Sequence, residues 1–273
     1  MKELHTRTIW GFLFATVLTA SILWGPLSFA ILFLIISGFA LREFYILCRV
    51  AGYSPQLYPG LIAGALLFIL SFLTAQQQIN YNAFYYMLPV IYAFPVYELF
   101  RKKKDPVANL ALTVFGLVYV TIPFALLNSL AFSEIDGLVK YHYELLISLF
   151  IFVWASDSGA YILGVRFGRH RLFERISPKK SWEGLMGGIF TALIAAWMLT
   201  LIFPHYPLHL LVVMAILVVI AGTVGDLIES MIKRSIGVKD SGKFMPGHGG
   251  LLDRFDSILL ASPVIYFVFR FFL

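Results

Sequence analysis

Charge is what this sequence has least of. Only 13% of its 273 residues are Asp, Glu, Lys or Arg, while 60% are hydrophobic and the mean hydropathy is +0.84. Soluble domains carry roughly 25% charged residues, so this chain has too few to cover its own surface in water. Cysteine is nearly absent as well. Cys48 stands alone, which excludes an intramolecular disulfide and any metal site built on paired thiolates. Tandem repeats, low-complexity tracts and a polar stretch long enough for a soluble domain are all missing. What remains is a series of apolar runs of about 20 residues, each long enough to cross a hydrocarbon core of about 30 Å.

The runs fall near 9–24, 26–47, 57–75, 83–100, 107–130, 144–166, 184–203, 208–231 and 254–272. They predict an all-α, polytopic integral membrane protein of about nine transmembrane helices. Turn-forming residues punctuate them: Trp24-Gly25-Pro26, Gly52-Tyr53-Ser54-Pro55, and the segments 76–81 and 204–207. The start of the chain, with Lys2 and Arg7 ahead of an apolar run, has the outline of a signal peptide. No small-x-small cleavage site follows it, so an uncleaved first helix is expected.

Basic residues favour cytoplasmic loops. With the N-terminus inside, alternate loops collect every Lys and Arg except Lys140 and Arg270. Two of those inner loops, 166–183 and 233–253, mix their charges with Gly, Pro, Ser and carboxylates. The net charge of +6 is thus a topology signal and no argument for nucleic acid, and Lys102, Lys103 and Lys104 read as a solvated anchor beside anionic headgroups. Residues 1–140 are expected to be a lipid-facing scaffold and residues 141–273 to carry the chemistry, in a cytoplasmic (inner) membrane.

Four stretches break the apolar background. Trp154-Ala155-Ser156-Asp157-Ser158-Gly159 puts a carboxylate inside a membrane helix, at a cost of about 2.5–3.5 kcal/mol on insertion scales, so Asp157 should face protein or water. Ser177-Pro178-Lys179-Lys180-Ser181-Trp182-Glu183-Gly184 opens the next helix; a Ser181 cap, N-terminal N–H groups and two lysines make a phosphate cradle. By itself that segment reads as an ordinary inner loop. Gly225-Asp226 to Lys233-Arg234 places Asp226 and Glu229 at i, i+3, with Lys233 four residues after Glu229. A Glu229–Lys233 pair explains half of this pattern and leaves Asp226 unexplained. Finally, a loop from Lys239-Asp240-Ser241 through Lys243 and His248-Gly249-Gly250 leads to Asp253, Arg254 and Asp256. With Asp226, the carboxylates Asp253 and Asp256 supply hard oxygen ligands for Mg²⁺. His205 and His209 carry no such reading.

Residues 230–256, with the Lys239-Asp240 and His248-Gly249-Gly250-Leu251-Leu252-Asp253-Arg254-Phe255-Asp256 elements, resemble the signature of the phosphatidate cytidylyltransferases (CDP-diacylglycerol synthases). The Ser177–Gly184 motif and the Asp157 segment are similar to that family's other recurring stretches. Over 1–140 the likeness is one of hydropathy only, and Met245 departs conservatively from the pattern. The resemblance implies a Mg²⁺-dependent enzyme making CDP-diacylglycerol and pyrophosphate from CTP and phosphatidate drawn from the membrane lipid. It implies Asp226, Asp253, Lys233 and Arg234 as catalytic residues, and Asp226, Asp253 and Asp256 as metal ligands. Asp157, Ser177, Lys179, Lys180, Lys239, Asp240, Lys243, His248 and Arg254 are implied as substrate contacts. Two other readings stand beside it: a CTP-dependent polyprenol or phytol kinase, whose alcohol acceptor would want a general base, and a secondary transporter with intramembrane acids. Gly184 and Gly188 permit close helix packing, inside one bundle or across a homodimer.

Overall fold

The computed structural model describes residues 2–135, 138–242 and 249–272. Helices dominate, in the order α1 (Lys2–Trp24), α2 (Pro26–Val50), α3 (Leu57–Ala75), α4 (Met87–Arg101), α5 (Pro106–Gly116), α6 (Ile122–Ala131), α7 (Tyr143–Phe167), α8 (Trp182–Ile202), α9 (Leu208–Ser235) and α10 (Leu252–Phe272). Two antiparallel hairpins interrupt them, β1 (Phe132–Ile135) with β2 (Leu138–Tyr141), and β3 (Arg171–Phe173) with β4 (Ser177–Ser181). The all-α membrane expectation holds. Among the described residues, seven helical runs are long and apolar enough to cross a membrane: Pro26–Val50, Leu57–Ala75, Tyr81–Arg101, Pro106–Ala131, Tyr143–Phe167, Trp182–Ile202 and Leu208–Ser235. The expected count of nine needs α1 and α10 as well. Both form as helices but fall outside that set; the apolar part of α1 is only Ile9–Trp24.

The chain divides into two compact units, one of residues 1–142 with 236–254, the other of residues 143–235 with 255–273. The core of the first centres on α2, whose Phe29, Phe33, Phe44 and Tyr45 are wholly or almost wholly buried. A polar knot lies beside it. Gln56 Nε2 donates to Glu98 (2.7 Å) and to the Phe94 carbonyl (2.9 Å), Asn109 Nδ2 donates to Glu98 (3.2 Å), and Arg101 forms an ion pair with the same carboxylate at 2.7 Å. A carboxylate in so apolar a setting is tolerable only when its oxygens are met in this way. The run from α5 into α6 is one span with a π-turn at Leu117–Thr121, where the Ile122 N–H reaches back to Leu117. Pro123 has no N–H to give the regular ladder, and the wider turn absorbs the gap.

In the second unit, α7 and α8 run antiparallel at close range because small residues line the seam. Gly184 lies by Ala160 and Gly164, Gly187 by Gly159 and Leu163, and Gly188 by Ser156. The Thr191 hydroxyl donates to the Ala155 carbonyl at 2.8 Å. Small side chains let the backbones approach, which is how helices gain packing energy where lipid offers no hydrophobic drive. The Gly184 and Gly188 spacing therefore serves packing within one chain. A Cβ on Gly159 would stand 2.6 Å from the Gly187 carbonyl oxygen. Replacing Gly159 by Leu should cost about 1–3 kcal/mol or more through overpacking; a thermal-unfolding midpoint in detergent equal to that of the unaltered protein would contradict this seam.

Candidate active site

The segment between α7 and α8, expected to be a loop, is the β3–β4 hairpin. Its strands register Arg171 with Ser181 and Phe173 with Ser177, and the Ile176 N–H closes the turn onto Phe173 at 3.2 Å. Glu183, in the first turn of α8, fastens the base. It accepts N–H bonds from Arg169 (3.1 Å) and His170 (3.2 Å), and its carboxylate lies 2.6 Å from His170 Nδ1. Ser181 caps α8 as its position predicts, accepting the Gly184 N–H at 3.1 Å. The hairpin is thus held at both strands' roots, and the four basic side chains Arg171, Arg175, Lys179 and Lys180 ride on it.

Between this hairpin and the helices lies a cavity of about 580 Å³, a size typical of small-molecule sites. Its lining mixes apolar side chains, among them Val153, Leu185, Val218 and Val219, with polar and charged ones: Ser156 and Asp157 from α7, Arg171, Ser177, Lys179 and Lys180 from the hairpin, Thr223 and Asp226 from α9, and Ser257 from α10. Asp157, Ser177, Lys179, Lys180 and Asp226 are thereby brought to one cavity. Arg171 lines it too, although sequence reasoning read that residue only as a topology charge.

The charges are arranged unequally. Lys180 Nζ stands 2.5 Å from Asp226 Oδ2, with both side chains about one-third exposed. Ser230 donates to the other oxygen of Asp226 at 3.2 Å. Gly225 lets α9 approach the following helix closely, since a Cβ there would sit 2.5 Å from the Asp256 carbonyl oxygen. Asp256 feels the like charges of Asp226 and Asp157 and the opposite charge of Lys180. Two further carboxylates and one ammonium thus lie within electrostatic range of Asp256. Lys180, expected as a phosphate contact, already has Asp226 as a partner. Lys233 is buried and ion-paired with the fully buried Glu229 one turn before it, the bland pairing that its i, i+4 spacing allows. Arg234, next in sequence, is exposed at the helix end.

The remaining candidates belong to the first unit. Asp253 sits in the first turn of α10 and accepts the Ser241 N–H (3.0 Å) and the Gly250 N–H (2.7 Å). Lys239, Asp240 and Arg254 are exposed. Lys243 and His248 lie outside the described residues. Among the described residues, no three His, Cys, Asp or Glu side chains gather tightly enough to hold a metal ion on their own. Sequence reasoning also passed over Glu43, an acid inside an apolar helix. The rule that drew attention to Asp157 would have found it.

The profile of the cytidylyltransferase family matches residues 5–272. The phosphatidate cytidylyltransferase of Bacillus subtilis (strain 168) is 34% identical over 279 aligned residues, spanning all of both chains. That of Haemophilus influenzae is 47% identical over 135 residues, 46% of each chain. The Staphylococcus saprophyticus enzyme of the same name is 39% identical over 171 residues, 62% of each. A family match across nearly the whole chain, with a relative similar from end to end, means that this membrane protein belongs to the cytidylyltransferase family.

Proposed function

We propose that this enzyme transfers the cytidylyl group of CTP to phosphatidate, giving CDP-diacylglycerol and pyrophosphate, with Mg²⁺, on the cytoplasmic side of an inner membrane. The observation that supports the reading most is the cavity itself, lined by apolar and by charged side chains together, inside a bundle of membrane helices. A substrate that is lipid at one end and phosphate at the other fits that mixed lining. In the reaction a phosphatidate oxygen bonds to the α-phosphorus of CTP as the bond to the bridging oxygen breaks, and pyrophosphate leaves with that oxygen. A phosphomonoester has its second pKa near 6, so the attacking oxygen is already ionised at neutral pH and no strong base is required. The barrier is then the approach of two polyanions, which calls for fixed positive charge.

The chain's own groups divide that work. Arg171 and Lys179, both exposed on the hairpin and lining the cavity, would take substrate phosphate. Lys180 neutralises Asp226 and keeps it oriented. Asp226 and Asp256, with Asp157 in electrostatic range, offer a set of hard oxygen donors. That donor set suits Mg²⁺, which commonly binds through one or two carboxylates and completes its shell with water and phosphate oxygens. When bound there, the ion would supply neutralisation of phosphate charge. Asp253 stays in the proposal as a catalytic carboxylate because of its place in the signature motif, with its two N–H partners fixing its direction.

The direct test supplies purified protein with labelled CTP and phosphatidate. CDP-lipid and pyrophosphate are expected; CDP with a phosphorylated alcohol would instead identify a kinase. In the same assay, Asp226→Asn and Asp253→Asn should each lower turnover by about 100-fold or more, the scale of losing one charged group at a phosphoryl centre, while the protein still inserts. Near-normal turnover in both variants at unchanged Mg²⁺ dependence would remove the metal assignment.

The hairpin lysines should separate in kinetics. Lys179→Gln is expected to raise the KM for CTP with kcat largely kept, because it removes a phosphate contact. Lys180→Gln should lower kcat, because it strips Asp226 of its partner. Identical profiles for the two would argue that the hairpin is only a basic surface. Sidedness is checked with cysteines at Glu174 and Lys239, both exposed, since the native Cys48 is buried and should stay silent. Impermeant thiol reagents should reach them only after the cells are opened; labelling of sealed cells would reverse the topology.

A further inference from the structure

Glu43 takes no direct part in the proposed transfer, although it is an acid in the C-terminal half of α2 with only 7% of its surface exposed. Its carboxylate is committed to residues some 200 positions away in sequence. Oε2 accepts the N–H of Leu252 at 2.8 Å and the hydroxyl of Ser241 at 3.2 Å. Gly242 and Gly250 pack directly against it, so that a Cβ on either would come within 2.6 Å of a Glu43 oxygen. Leu252 is the first residue of α10. Its N–H is one of the four that a helix start leaves without an internal partner, and a carboxylate there also meets the positive end of the helix dipole. Glu43 is therefore a cap supplied from another helix.

The same turn carries Asp253. Ser241 is shared between the two acids: its hydroxyl goes to Glu43 and its N–H to Asp253. Gly250 contributes its N–H to Asp253 while lying against Glu43. The two carboxylates thus grip the same short piece of backbone from opposite partners, and the direction of Asp253 depends on where Glu43 holds Ser241 and Leu252. A surface role does not account for this, since an acid buried in an apolar helix costs free energy unless it is fully occupied.

We infer that Glu43 is a positioning residue for the cytidylyl-transfer site: it anchors Ser241 and the first turn of α10 so that the Asp253 carboxylate is held in its working direction. This rests on the proposed catalytic role of Asp253. The test is a double-mutant cycle of Glu43→Ala with Asp253→Asn, read as kcat per folded protein, with the KM for CTP measured alongside. Glu43→Ala alone should lower kcat by about 30-fold or more and leave KM within about 3-fold, because groups acting as one unit are strongly non-additive. Added to Asp253→Asn, it should cost less than about 3-fold more. Amide hydrogen exchange over residues 249–255 should quicken in Glu43→Ala, and Glu43→Gln, which still offers an accepting oxygen, should recover most of the activity. An undiminished kcat for Glu43→Ala, or costs that simply multiply in the double variant, would overturn the inference. Should Glu43→Ala fail to insert, the same cycle is run with Ser241→Ala in its place, where multiplicative costs again refute it. A normal kcat for Asp253→Asn alone would instead strike the role of Asp253, leaving the exchange measurement to report on the anchor.

Discussion

A charged group surrounded by hydrocarbon has no water to fall back on, and every acid in these helices has to be met by the protein itself. The cost of failing is several kcal/mol per ion. Glu98 meets a glutamine, an asparagine and an arginine, Glu229 meets Lys233, Glu43 meets a helix start, and Asp226 meets Lys180. The first three pairings are closed inside the protein. The fourth opens onto the large cavity. Asp226 and its lysine are each about one-third exposed, which sets this pair apart from the closed ones.

Close helix packing follows from the same constraint. Backbone groups satisfied within helices leave packing and occasional hydrogen bonds as the means of association, and the α7–α8 seam uses both, through its glycines and through Thr191. The seam ends at Gly164 and Gly184, where the chain leaves one helix and enters the next through the hairpin. Glu183 then ties the hairpin's root to the helix start. Packing inside the bundle and placement of the basic residues are consequently one piece of architecture.

How much of this was legible in the sequence depends on whether the signal was local. Helix positions were, because each run is apolar along its length: the expected 57–75 and 26–47 meet α3 and α2 almost residue for residue. The Ser181 cap and the Glu229–Lys233 pair were legible too, since both depend on fixed short spacings. The hairpin was not. Arg171–Phe173 and Ser177–Ser181 are short, basic and broken by Pro178, without the alternation that marks a strand, and they pair because α7 and α8 pinch their ends. Nor could spacing announce the Lys180–Asp226 contact, which joins residues 46 positions apart, or Glu43's reach to Leu252. Those contacts come from tertiary placement, and the sequence carries only their ingredients.

That placement also divides the cavity's charges by element. The carboxylates Asp157 and Asp226 stand on α7 and α9, whereas Arg171, Lys179 and Lys180 stand on the hairpin. Helices packed through glycine seams are a stiff support for the acids. A hairpin rooted at Ser181 and Glu183 carries the cations on a separate support, lining the same cavity. Were both signs interleaved on one helix they would pair as Glu229 and Lys233 do, and little charge would be left for a substrate. Keeping them on different elements, bridged by Lys180–Asp226, preserves a local field of both signs within about 580 Å³. In a low-dielectric surrounding such a field is far stronger than in water, and an enzyme that must bring two polyanions together at a membrane depends on it.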